Sequence, residues 1–435
     1  MTKKNLKKTV TFIEAISLVI GMIIGSGIFL KIGIVLQNAG SSGMALLAWI
    51  TGGIITIASA LTIAEIAAAI PKTGGLYIYL EELYGSVWGF LLGWVQTVIS
   101  YPASGAALAI AFASFSSFFI PMNDIQLKVF AAITLIFVIT INIIATKFGG
   151  AIQTISTIAK LIPIATIIIF GLIKGEVRDF SFIQSFSVQG QGFGVAILGT
   201  LWAYDGWIGV TNMAGELKNP KKDLHRSIII GVSSVIVVYA LFNFAIMKLI
   251  PIDTIANSKQ PAVDAATALF GSKGGAFIAA GIMISVFGTL NGYLMTGARV
   301  PFAMAKRKQL PLWRTIGKAH SKFETPGNAL ILQCILALIY IFTGSFNTLT
   351  DLLVFVLWIF FVMGVAGIFV LRKRIPSEKR PYKVPLFPLI PLVGILGGVY
   401  ILISTIISSP INSIIGIGIT ILGLPVYYFL MKKER

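Results

Sequence analysis

Charge is scarce in this chain. Asp, Glu, Lys and Arg make up 11% of its 435 residues, where a soluble domain carries about 25%. Hydrophobic residues make up 56%, so there is too little polar surface to cover a soluble core of this length. Acidic residues are the scarcer sign, 16 against 34 basic, for a net charge of +18. Histidine occurs only at His225 and His320, and cysteine only at Cys334. A single cysteine excludes an intramolecular disulfide. Two isolated histidines leave no metal-ligand cluster. A nucleotide-binding loop is lacking too, because Gly25-x-Gly27 has neither the preceding strand nor the third glycine. No nucleophile has the partners of a catalytic triad. An enzyme is therefore not expected, and neither a cofactor nor a metal.

What is abundant is apolar sequence, in runs of about 20 residues, the length of a membrane-spanning helix. The runs predict an all-α integral membrane protein of twelve spans bathed in lipid. They are Thr9–Leu36, Gly43–Ile70, Val87–Phe119, Leu127–Ile144, 150–173, 192–215, Ser227–Ile250, Gly275–Ala305, Asn328–Phe342, Leu349–Leu371, Leu386–Ser408 and Ile411–Leu430. A short helix over Ala262–Phe270 is expected before the eighth. The positive charge is spread over alternate links rather than gathered in one patch, which argues against nucleic acid as a partner. With the N-terminus inside, the inner links outweigh the outer ones in Lys and Arg by roughly three to one, Lys31 counted among the outer. The positive-inside rule then puts both termini in the cytoplasm, with the chain in the inner (plasma) membrane. Lys3, Lys4, Lys7 and Lys8 precede a first run that reads as a retained span, not a cleaved leader.

The first span has a weak centre. Gly21-Met22-Ile23-Ile24-Gly25-Ser26-Gly27-Ile28-Phe29 holds three glycines and a serine, and glycine there costs about 1 kcal/mol against alanine. A helix broken inside lipid is tolerated only where protein or a water-filled cavity surrounds the break. Gly21-x-x-x-Gly25 equally fits a close helix-packing face. The sixth span repeats the anomaly at Ala203-Tyr204-Asp205-Gly206-Trp207. Breaks at corresponding spans of two five-span halves, 9–173 and 192–371, point to a transporter site at mid-membrane. Five is odd, so the halves would be inverted; 386–430 adds two spans. Where the first span restarts, free N–H groups and about half a positive charge suit a carboxylate, and Ser26 adds a hydroxyl. Where the helices stop, near Ile23, Ile24, Trp202 and Ala203, free carbonyls suit an ammonium group. The pair of cradles fits an α-amino acid zwitterion.

Few polar residues lie inside the spans. Lys160 sits about ten residues from either end of the fifth, where a charge costs about 2.5–3.5 kcal/mol on insertion and marks a functional site. A fixed charge and a proton carrier are its two possible roles. Asp205 reads as a helix cap or as a charge that meets the substrate ammonium or a basic side chain. Ser285, Gly288, Thr289 and Asn291 either bond their own helix or face Lys160. Trp202, Tyr204 and Trp207 gate the site or pack. Glu14 and Glu65, near inner span ends, are expected to pair with lysines.

Four motifs together resemble the L-amino acid transporter family of the amino acid–polyamine–organocation superfamily, over essentially the whole chain. They are Gly21–Phe29, Ile70-Pro71-Lys72-Thr73-Gly74-Gly75-Leu76-Tyr77, Trp202–Trp207 and Gly215-Glu216-Leu217-Lys218-Asn219-Pro220. The resemblance implies a LeuT-like fold: 12 helices, a 5+5 inverted repeat, and broken helices 1 and 6. It implies amino acid exchange by alternating access. It puts the substrate carboxylate on Ser26, Gly27 and Ile28, and the amine on carbonyls of Ile23, Trp202 and Asp205. It puts an aromatic gate at Trp202, where the family often has Phe. Lys160 matches the lysine that stands at the sodium position of sodium-coupled relatives, beside Gly21 and Ser285, with Thr289 one turn on. Animal members bond a heavy-chain partner through a cysteine between spans three and four. The link Ile120–Ile125 has none, so no disulfide-linked partner is expected. The expected activity is sodium-independent antiport of small neutral L-amino acids such as alanine, serine, threonine and cysteine. The rivals are a proton-coupled symporter using Lys160, an exchanger of cationic amino acids or polyamines reading Asp205, and a sensor that binds without transport.

Overall fold

A computed structural model describes residues 11–70, 75–144, 146–176, 180–183, 191–212, 217–323 and 325–432. Lys3, Lys4, Lys7 and Lys8, positions 71–74 of the second motif, and Gly215 and Glu216 of the fourth lie outside the described residues, as does the side chain of Lys147. Among the described residues the regular secondary structure is almost entirely helical. The first span is two helices, α1 (Phe12–Ile23) and α2 (Gly27–Ala39), bent by 45° at the glycines. Next come α3 (Ser42–Ala69), α4 (Leu76–Tyr84), α5 (Ser86–Val95), a π-helical turn at Gln96–Ser100, and α6 (Tyr101–Ser116). They are followed by α7 (Asp124–Ile144) and α8 (Thr146–Lys174). The second broken region is α9 (Phe193–Tyr204) and the short α10 (Gly209–Asn212). Then follow α11 (Pro220–Leu249), α12 (Ile252–Asn257), α13 (Pro261–Gly297), α14 (Arg299–Lys306) and α15 (Trp313–Ile316). The last are α16 (Gly327–Thr343), α17 (Phe346–Arg374), α18 (Leu389–Ser408), α19 (Pro410–Ile421) and α20 (Gly423–Lys432).

Among the described residues, eight helices are long and apolar enough to cross a membrane, nine with the bent α1–α2 pair. The chain is a multi-pass membrane protein. Its outermost helices expose apolar side chains, Ile407 and Ile411 by about three quarters, as lipid contact requires. The expected helix over Ala262–Phe270 is the first part of α13, which bends at Gly271, where φ is 70°. Lys31 is not at a span end. The helix runs on to Ala39, and Lys31 is fully buried inside it.

Glu14 and Glu65 find partners other than lysine. Glu14 closes a capping box with Thr11, accepting its backbone N–H at 2.7 Å, which satisfies an end donor of the helix. Glu65 on α3 is fully buried. It accepts from Arg372 at 2.8 and 3.1 Å, from the Val384 N–H at 2.7 Å, and from Arg380. The planar guanidinium matches a carboxylate in a two-point grip that lysine cannot make, and it ties α3 to α17 and the link beyond it.

Packing brings the two breaks together. α2 packs on α9 and α1 on α10, while α11 lies across α1 and α3. α13 packs between α6 and α8, which carries Thr289 and Lys160 to the first break.

Candidate functional site

The breaks meet backbone to backbone. A Cβ on Gly27 would stand 2.5 Å from Ala203 Cα, and one on Gly206 would stand 2.8 Å from Met22 O. Neither contact is open to a larger residue, and Gly206 also needs its φ of 109°. These glycines are therefore required by the close approach as well as by the break.

α2 begins with Ser26 at its N-cap, but the Ser26 side chain makes no cap bond. The first ladder bonds run from Phe29 and Leu30 N–H to Ser26 O, each 3.1 Å. The N–H groups of Gly27 and Ile28 precede them and have no acceptor in their own helix. Ser26 Oγ and Trp202 Nε1 are both buried without a hydrogen-bond partner. An unmet buried donor costs about 1–3 kcal/mol. A ligand acceptor between them removes that cost, and the helix N-terminus favours an anionic one.

The cavity between the breaks is lined by Met22, Ile23, Gly25, Ser26, Gly27, Leu108, Trp202, Asp205, Thr289 and Tyr293. Only about 10 Å³ of it admits the centre of a water molecule. That is room for about one water, so the site is contracted and an amino acid needs its walls to part. Asp205 Oδ2 accepts from the Tyr293 hydroxyl at 2.9 Å, and the Asp205 N–H bonds Trp202 O at 3.2 Å.

Lys160 reaches the other side of the first break. Its Nζ donates to Gly21 O and Ile24 O, each at 2.7 Å, and to Thr289 Oγ1 at 3.4 Å. Thr289 in turn donates to Ser285 O at 2.9 Å. Lys160 is fully buried and has no carboxylate partner among the described residues. The carbonyls left free where α1 ends supply the negative field that holds the ammonium.

The sequence-predicted residues divide by position. Ile23, Ser26, Gly27, Trp202, Asp205 and Thr289 line one cavity. Gly21 and Ser285 join it through Lys160 and Thr289. Ile28 and Ala203 are buried and are not among the residues that line it. Tyr204 lies behind the site: its hydroxyl donates to Trp49 O at 3.0 Å.

Three contributors were not visible in the sequence. The Tyr239 hydroxyl on α11 is within bonding distance of Ile23 O at 3.1 Å and Ala203 O at 2.9 Å, one carbonyl from each break. Trp202 meets Phe346 edge to face, with centroids 6.2 Å apart. Beside them, buried Lys31 pairs with Asp351 of α17 at 2.9 Å and lies 5.6 Å from the Phe346 ring centre. Beyond Phe346 a larger cavity, about 390 Å³ open to water, is lined by Leu30, Gln37, Ser114, Lys259 and Asn347 among others. No group of three or more metal-ligating side chains occurs among the described residues.

Known proteins match the chain along its length. The Amino acid permease family matches residues 10–430. The serine/threonine exchanger SteT of Bacillus subtilis is 46% identical over 99% of this chain and 98% of its own. The human large neutral amino acids transporter small subunit 2 is 34% identical over 97% of this chain and 80% of its own. The human cystine/glutamate transporter is 32% identical over 100% of this chain and 88% of its own. These relatives are transporters, not enzymes. The chain belongs to the amino acid permease family, in its L-amino acid transporter branch.

Proposed function

We propose that this amino acid permease exchanges small neutral L-amino acids, serine, threonine, alanine and cysteine among them, without sodium and by alternating access. The observation that carries this reading is Lys160. Its ammonium is bonded to Gly21 O and Ile24 O, where it supplies the fixed positive charge that a bound sodium ion would otherwise bring. The likeness to a serine/threonine exchanger supports the substrate class and the antiport.

The substrate carboxylate sits on Ser26 Oγ and the N–H groups of Gly27 and Ile28. The amine faces the carbonyls of Ile23 and Trp202 and the Asp205 end. Trp202 and Phe346 form the lid, and the Lys31–Asp351 pair locks α2 to α17 while the lid is closed. The wider frame is a LeuT-like fold of twelve spans. Residues 9–173 and 192–371 are its inverted repeats and 386–430 its last two helices, with both termini cytoplasmic and the chain in the inner (plasma) membrane. It needs no disulfide-linked heavy chain, since Cys334 lies within α16.

The test is radiolabelled serine entry into proteoliposomes, with and without internal serine, in sodium or choline. Uptake that needs internal amino acid and ignores sodium is expected. Strong uptake into empty vesicles under a pH gradient alone would replace exchange with proton symport. A second reading has one observation in its favour, the Asp205 carboxylate in the cavity wall, which suits a cationic substrate. Competition by arginine or putrescine stronger than by alanine would establish it.

A further inference from the structure

α7 and α16 pack side by side, and their outer faces form one apolar groove. Ile133, Phe137 and Ile144 are half exposed or more on α7, as are Ile335, Ile339 and Phe342 on α16. Spacings of three, four and seven put each set on one helix face, and lipid is the solvent that suits it. The two ends of the groove differ. Where α7 begins and α16 stops, Lys128 Nζ is already bonded to Phe342 O at 3.0 Å, and Asp124 lines the same cavity.

Where α7 stops and α16 begins, a cavity of about 230 Å³ is lined by Ile143, Lys318, His320, Ser321, Asn328 and Ile331. No acidic residue lines it among the described residues. Lys318 is exposed and its ammonium has no acidic partner among the described residues. His320 Nδ1 accepts the N–H groups of Lys322 and Phe323, each at 3.3 Å, which leaves Nε2 as the ring's donor. The loop is pinned to α7, since Thr325 donates to Ile143 O at 2.9 Å and its carbonyl accepts the His320 N–H at 2.8 Å. Cationic and polar donors thus stand above two isoleucines at the mouth of an apolar groove.

We propose that this cavity binds the phosphodiester headgroup of an anionic phospholipid, whose acyl chains lie along the α7–α16 groove. The source is lipid rather than free phosphate because the donors and the groove are continuous through Ile143 and Ile331. Basic pockets between spans bind such headgroups, and one cation near an anionic surface is worth about fivefold in affinity. The site requires only that the chain spans a membrane, so its test is independent of the transport assay.

Native mass spectrometry of the detergent-purified protein, titrated with phosphatidylglycerol or phosphatidylcholine, reads the retained lipid. Phosphatidylglycerol is expected to be retained in preference. Lys318→Ala should weaken it about fivefold, and Lys318→Ala with His320→Ala further, while Lys128→Ala leaves it unchanged. Lys318 is exposed, so its loss does not threaten the fold. Equal retention of the two lipids, or equal losses for Lys128→Ala and Lys318→Ala, would overturn the proposal. So would displacement of the lipid by inorganic phosphate at matching concentration, which would mark a free-anion site.

Discussion

Lys31 and Lys160 are both fully buried, and they are held in opposite ways. Lys31 has a carboxylate, Asp351, whose side chain is 34% exposed. Among the described residues, Lys160 has only backbone carbonyls and a threonine hydroxyl. An ion pair with one end near water can open, because the freed carboxylate is solvated as it leaves. An ammonium fixed by the end of a broken helix moves only if that helix end moves. The first arrangement suits a latch beside the Trp202–Phe346 ring pair proposed as the lid. The second suits a permanent charge that couples α8 to the proposed substrate site.

Substitutions can break or sharpen that contrast. The largest effect is expected for Lys160→Ala. It removes two charge-assisted bonds worth about 1.5–3 kcal/mol each, so exchange should fall at least about 100-fold in proteoliposomes normalised for recovered protein. A near-normal rate would reduce Lys160 to a space filler. Gly27→Ala and Ser26→Leu come next. The new Cβ at Gly27 meets Ala203, and overpacking of about 1–3 kcal/mol should weaken serine binding by about ten- to a hundredfold. Unchanged affinity in either variant would remove the carboxylate cradle.

At the latch, Asp351→Asn strands a buried ammonium, whereas Lys31→Met leaves a carboxylate that water can reach. Asp351→Asn should therefore lower thermal stability and exchange more than Lys31→Met; the reverse order would show that the pair is not a latch of this kind. The smallest effect belongs to Tyr239→Phe. One neutral hydrogen bond is worth about 0.5–1.5 kcal/mol, so exchange should drop by about two- to tenfold. A loss as deep as that of Lys160→Ala would mean that Tyr239, not the ammonium, holds the two breaks.

Much of the site was legible in the residues because it is locally costly. Glycines in mid-span and a lysine far from either interface are both penalised in lipid unless something answers them. Direction was not legible. Trp202 and Tyr204 are two residues apart, about 200° around a helix, so one faces the cavity and the other reaches Trp49. Partners distant in the chain were equally hidden. Asp351 lies 320 residues from Lys31, and Tyr239 lies 216 residues from Ile23. Nothing near either residue marks its mate.

The amino-acid sequence by itself determined that the chain is helical and membrane-spanning, that two of its helices break, and that a lysine is buried near them. Those features follow from lipid as a solvent, which penalises every unpaired polar group wherever it falls in the chain. Only the tertiary structure decided which face each broken end presents, that Gly27 and Gly206 let the two breaks touch, and that among the described residues one buried lysine has a carboxylate and the other none. These depend on packing between helices remote in sequence, where tenths of an ångström and the turn of a helix select the partner.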